Sequence, residues 1–168
     1  SKTRALASEI RKYLGISSKE YRKTLSAQRK ELDIVERKMC AHQWSTINYK
    51  GVPSKAALQY KNAFNKHDGS RYQQYISDVT SGKTTINAST LYPYDIVGKA
   101  LRGDDSKTLD ALWKALPNYM EGDTSNGLVV ADVSGSMSGR PLEVSISLAM
   151  YVSERNNGAF KDCFITFS

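Results

Sequence analysis

"LVVADVSGSMSG", residues 128–139, is the stretch on which the fold turns. It runs apolar from Leu128 to Ala131, then supplies one acid, alternating hydroxyls and two glycines. A short continuous apolar run of this kind reads as a strand buried on both faces of a parallel sheet. Downstream, "RPLEVSISLAMYVSERN" carries Leu142, Ile146, Ala149, Met150 and Ser153 near one face of a helix. "CFITFS" is then a second apolar strand. Strand, helix and strand of this length make a right-handed crossover with the strands parallel. Two strands and one helix leave sheet faces and edges uncovered. The remaining strands are therefore expected from the rest of a larger protein or from another chain.

The loop falls at the carboxyl end of a parallel strand, where open α/β sheets bind ligands. Asp132, Ser134 and Ser136 alternate, so a tightly curled loop points all three at one spot. One carboxylate and two hydroxyls form a hard, oxygen-only set of low charge, suited to Mg²⁺ or Mn²⁺ that keeps several waters. Such a metal is left ready to accept a carboxylate or phosphate from a partner. Gly135 and Gly139 are expected to let the backbone turn. The bland alternative is an ordinary turn between strand and helix. The spacing does not make a dinucleotide loop, and no lysine follows to make a phosphate loop. Met137 stands where a nucleophile elbow needs its serine. The only histidines, His42 and His67, lie in the helical front, so Ser134 and Ser136 have no base. No enzyme activity is expected.

Ahead of this region the grammar is helical. "SSKEYRKTLSAQRKELDIVERKMCAHQW" opens with Ser17 and carries Glu20 three positions later, a capping-box pattern. Leu25, Leu32, Val35 and Met39 then recur as one helical stripe. "VPSKAALQYKNAFNKH" is a second helix with Ala57, Leu58, Tyr60 and Phe64 inward. Asp68 is placed to cap a third, Pro93 sits in the first turn of a fourth, and Pro117 ends a fifth. Residues 1–120 thus form a helical array, 121–127 a polar link, and 128–168 the strand–helix–strand segment. Tyr49, Tyr60, Tyr72, Tyr75, Tyr92 and Tyr94 are readable as core residues or as stacking surfaces for bases.

The net charge of +7 is unevenly spread. Residues 1–120 hold 21 Lys/Arg against 11 Asp/Glu, whereas 121–168 hold 3 against 6. A basic front points to a polyanionic partner, RNA or DNA first and an acidic protein second. Arg22, Lys23, Arg29, Lys30, Arg37 and Lys38 recur along one expected helix and are the candidate phosphate contacts. Glu31, Asp33 and Glu36 interrupt them, and a solvated face with intrahelical pairing is the alternative. No apolar run is long enough for a membrane span. Cys40 and Cys163 suit neither a disulfide framework nor a zinc site, so a reduced, cytoplasmic setting is expected.

"LVVADVSGSMSGRPLEVSISLAMYVSERN" with "FKDCFITFS" resembles the opening of a von Willebrand factor A domain with its D-x-S-x-S metal-ion-dependent adhesion motif. The form in Ro-type TROVE proteins, and in a related uncharacterised family of plants, viruses and phages, is most similar. In that second family the helical region also resembles "KEYRKTLSAQRKELDIVERKMCAHQWSTINYKGVPSKAALQYKNAF" and "INASTLYPYDIV". The resemblance implies a HEAT-like or TROVE-like α-helical array followed by the start of a Rossmann-like α/β domain. It further implies that Asp132, Ser134 and Ser136 form the first metal-binding loop, completed by a Thr and an Asp from later loops. It implies a non-enzymatic, RNA-binding ribonucleoprotein component. The alternative is an interaction scaffold, viral in origin, that grips an acidic partner residue through the metal.

Overall fold

The structure, a computed structural model, describes residues 2–104, 106–122 and 125–168. The backbone gathers into two compact units, one formed by the chain up to Ile47 and the other by Asn48–Ser168. Most described residues are helical, and the sheet is a single parallel pair of strands.

The first unit contains α1 (Lys2–Leu14), α2 (Ser18–Glu31) and α3 (Val35–Cys40). The capping box is formed: Ser17 Oγ accepts the Glu20 amide at 3.2 Å, and the Glu20 carboxylate accepts the Ser17 amide at 2.8 Å. The single helix expected to run on through Met39 is instead two. Asp33 adopts φ +47°, a left-handed conformation that Asp tolerates better than most non-glycine residues. Lys38 holds that turn by pairing with the Asp33 carboxylate at 2.6 Å. The chain then doubles back, and Arg37 donates to the Ser26 carbonyl at 3.2 Å. Val35 is buried as expected, but Leu32, assigned to the same stripe, is 73% exposed at the break.

The second unit begins with α4 (Ser54–His67), α5 (Gly69–Thr80), α6 (Pro93–Ala100) and α7 (Lys107–Lys114). Ala57, Leu58 and Phe64 are buried on α4, with Tyr60 half-buried. Phe64 meets Tyr49 and Tyr72 at centroid distances of 5.2 and 5.5 Å, and Tyr49 meets Tyr72 at 5.0 Å. Buried edge-on and tilted contacts of this kind are core geometry, so these tyrosines are packing residues. Burial pushes the Tyr75 hydroxyl up to about 12 and raises that of Tyr72, so both stay protonated. Asp68 stands ahead of α5 but does not cap it with its side chain. Its carboxylate accepts the Tyr49 hydroxyl at 2.7 Å and pairs with Arg71 at 2.6 Å, two stronger partners than a backbone amide. Pro93 does open α6, and α7 ends at Lys114, ahead of Pro117. Asp105, in the segment read as starting that helix, lies outside the described residues, as do Asp123 and Thr124 of the expected link.

Lys61 is almost wholly buried, and its ammonium lies 2.5 Å from the Asp104 carboxylate. Burial pushes the Asp104 carboxyl upward, but hydrogen bonds from Lys61 and Ser106 outweigh it, and the group sits below its ordinary value. Paired in this way, a buried cation is tolerated on the inner side of α4.

The chain continues as β1 (Val129–Asp132), α8 (Arg140–Arg155) and β2 (Phe164–Phe167). The strands are parallel, with Val129 opposite Phe164 and Asp132 opposite Phe167. Helix α8 packs against both β1 and α6. Ser147, Ala149, Tyr151 and Ser153 are buried, while Met150, assigned to the inner face from sequence, is 40% exposed. Every second residue is buried because a helix enclosed from two sides hides two opposite faces. Ser147 and Tyr151 lie on one of them, Ala149 and Ser153 on the other. The first faces the helices: Tyr151 donates to the Pro117 carbonyl, accepts the Tyr119 amide at 2.9 Å and meets Trp113 edge-on at 6.3 Å. Arg155 lies 4.0 Å over the Tyr151 ring. At the other end of the crossover, buried Asn156 donates to the Gly127 carbonyl at 2.8 Å, and the Asp162 amide bonds the Ser153 carbonyl at 2.9 Å.

The expectation of strands buried on both faces is not met. Ala131 is buried, but Val130, Phe164, Ile165 and Phe167 are 40–58% exposed, since α8 packs mainly over one face of β1 and leaves β2 open on both faces. Substituting Tyr151→Phe strips two backbone groups of their partner at the joint between α7 and α8. The expected loss is about 1–2 kcal/mol in a urea-unfolding measurement, and an unchanged midpoint would refute the role given to this hydroxyl.

Candidate metal centre

The three oxygen donors singled out in the sequence are brought together by the turn that leaves β1. Asp132 is the last residue of the strand, and its Oδ1 accepts the Ser134 amide at 2.9 Å. Ser134 Oγ and Ser136 Oγ lie 3.1 Å apart. A short helical turn at Gly135–Met137 holds this curl, with the Met137 amide on the Ser134 carbonyl at 2.9 Å. Ser138 Oγ closes it by donating to the Gly135 carbonyl at 2.8 Å. Gly139 then takes φ +85°, the left-handed region open to glycine, and directs the chain into α8. Gly135, expected to serve likewise, lies in that short helical turn without a positive φ.

The donor chemistry fits a small divalent cation. Adjacent corners of an octahedron built on bonds of roughly 2.1 Å are about 3 Å apart, and the hydroxyl pair has that spacing. The loop is at the surface, with Ser136 exposed and Asp132 and Ser134 half-buried. The Ser134 hydroxyl and then its backbone amide hold the Asp132 carboxyl below the ordinary aspartate value, so it is ionised throughout the neutral range. Among the described residues no cluster of three or more His, Cys, Asp or Glu side chains makes another candidate centre.

Beside the loop stands a set of side chains that spacing did not connect. Arg140, the residue after Gly139, lies 4.5 Å over the ring of Tyr94 on α6. Its guanidinium is 3.5 Å from Glu143 and 3.9 Å from Asp95. Glu143 also pairs with Arg102 beyond the end of α6. The α6–α8 approach needs Gly98, where an added Cβ would lie 2.7 Å from the Glu143 carboxylate. Tyr92 and Tyr94 were each recognisable as aromatics near Pro93, but nothing in the local pattern ties them to Arg140, which follows 46 positions after Tyr94.

The candidate phosphate contacts are in the first unit. Arg22, Lys23, Arg29 and Lys30 are exposed on α2, and among the described residues none of them is in an ion pair. Arg37 and Lys38 are not on that helix. They are turned to structural use on α3, against Ser26, Asp33 and Thr46.

With fold and loop described, comparison with known proteins places the chain. Residues 1–126 match the family model described as a domain of unknown function, DUF2828, and the chain belongs to that family. Uncharacterized protein L728 of Acanthamoeba polyphaga mimivirus is 33% identical over 178 residues, covering 96% of this chain and 31% of that protein. The chain thus spans about a third of the length of this curated relative. No solved structure matches. Among the described residues no helix is long and apolar enough to cross a membrane.

The loop carries its own test. Replacing Ser134→Ala removes the hydroxyl that lowers the Asp132 carboxyl, so that group should titrate nearer the ordinary aspartate range. Carboxyl-carbon NMR titration of both proteins reads this directly, and coincident curves would contradict the hydrogen-bonded loop. The sign for stability follows: a depressed carboxyl contributes above its unfolded value and loses that contribution as pH falls through its folded value.

Proposed function

We propose that this chain is a non-enzymatic, RNA-binding ribonucleoprotein component, with a TROVE-like helical array and, from residue 128, the start of a von Willebrand factor A domain. The observation that carries the RNA reading is the unpaired set on α2. Asp33, the nearby carboxylate beyond the end of α2, is committed to Lys38. Arg22 and Arg29, and likewise Lys23 and Lys30, are two helical turns apart, about 10 Å along one side. Cations in such a row and free of carboxylate partners suit a phosphate backbone laid along the helix.

The A-domain reading rests on the parallel strand–helix–strand order with the oxygen donors at the carboxyl end of β1. Asp132, Ser134 and Ser136 would hold Mg²⁺ or Mn²⁺, and the bound ion would supply a Lewis-acidic position for an anionic partner group. The exposed loop also supports a second reading, a scaffold that grips an acidic residue of a protein partner. A cytoplasmic setting accords with two exposed cysteines that form no disulfide.

Two measurements decide. RNA affinity should fall steeply with salt, and Lys23→Glu, Arg29→Glu and Lys30→Glu together should lower the log–log salt slope by about two to three. Salt-insensitive binding, or an unchanged slope, rejects the phosphate-tracking role. In calorimetric titration with Mg²⁺ or Mn²⁺, Asp132→Ala should abolish the binding heat seen with the unaltered chain. Equal heats would remove the loop from consideration as a metal site.

A further inference from the structure

We propose that Tyr92, Tyr94 and Arg140 form a stacking platform for an unpaired base of single-stranded RNA, beside the Asp132–Ser136 loop. The inference rests on the RNA-binding reading above and adds a second contact point on the other compact unit. Tyr92 and Tyr94 are stacked, with centroids 5.4 Å apart and planes 14° from parallel. In the core, Tyr49 meets Phe64 and Tyr72 edge-on and stacks on Tyr75 with planes 29° apart, so it is exposure that sets the Tyr92 pair apart. Tyr92 is 52% exposed, whereas Tyr49 and Tyr72 are buried.

The pair is built before any ligand arrives. Pro93 fixes the start of α6, and the Tyr92 amide donates to the Asp95 carboxylate at 3.0 Å. Arg140 covers Tyr94 at 4.5 Å and is itself steadied by Glu143 and Asp95. Preset rings lose little freedom when a third ring joins the stack.

The charges face the right way. Arg140 and Arg102 are 61% and 60% exposed, while their carboxylate partners Glu143 and Asp95 are only 12% and 21% exposed. Solvent therefore meets guanidinium groups, with the acids withdrawn beneath them. A ligand that offers a planar ring to Tyr92 and an anion to Arg140 is a nucleotide. In a duplex that ring is already stacked and paired, so the strand must be single.

The test uses the full chain with a fluorescent oligoadenylate of about eight nucleotides and an abasic strand of equal length and charge. Tyr92→Ala should weaken oligoadenylate binding roughly 10- to 100-fold, and Tyr92→Trp should keep it. The abasic strand should bind both the unaltered chain and Tyr92→Ala equally weakly. Because Tyr92 is exposed, circular dichroism should show unchanged folding. Undiminished binding by Tyr92→Ala, or abasic binding as tight as that of oligoadenylate, overturns the platform. If the α2 charge reversals still abolish binding in that case, the RNA-binding reading stands without it. If the reversals do nothing while Tyr92→Ala keeps its loss, the platform stands and α2 is excluded. Failure of the unaltered chain to bind either strand overturns both.

Discussion

The Tyr151 hydroxyl donates to the Pro117 carbonyl and accepts from the Tyr119 amide, while Arg155 lies over both its ring and that of Trp113. Through that side chain α8 is fastened to the segment after α7, and the rest of the second unit follows from the attachment. A helix fastened on one face by a single large side chain and covered by strands on the other needs small residues around that anchor. Ser147, Ala149 and Ser153 meet that need. With α8 fixed, its first residue is fixed too, and Arg140 is delivered to Tyr94 and to the exit of the loop.

The same attachment explains why the chain divides where it does. The composition changes sharply after residue 120, from basic to slightly acidic, yet the strands and α8 share a compact unit with α4–α7. Charge tracks what each surface meets in solvent, whereas compactness tracks which apolar faces need covering. The division at Ile47 instead comes after a short helix, α3, and falls between two brief helical turns, Trp44–Thr46 and Tyr49–Gly51.

Elements decided by neighbouring residues were legible in advance. The Ser17–Glu20 box, the helix start at Pro93, the helix from Ser54 to His67 and the parallel crossover all depend on short-range chemistry. Asp132, Ser134 and Ser136 were legible for the same reason, being two positions apart on one turn. What long-range packing decides was not. The break at Asp33 needs a lysine five residues on, and Asp68 abandons its cap for Tyr49, 19 positions earlier. Met150 faces outward because α8 is enclosed from two sides, which a single apolar stripe does not foretell. Arg140 and Tyr94 meet only because Gly98 lets α6 and α8 draw close.

Strand direction has a further consequence for the loop. In a parallel sheet every strand releases its chain at the same end, so β1 and β2 both point their exits toward the side where Asp132 ends its strand. Asp132 faces Phe167 in the register, so both strands end on the same row. Any further parallel strand laid along either edge would release its own following residues within reach of the same place. The polarity of the pair thus decides in advance where new donor groups would arrive, whichever polypeptide brings them, and it makes this rim a point of convergence.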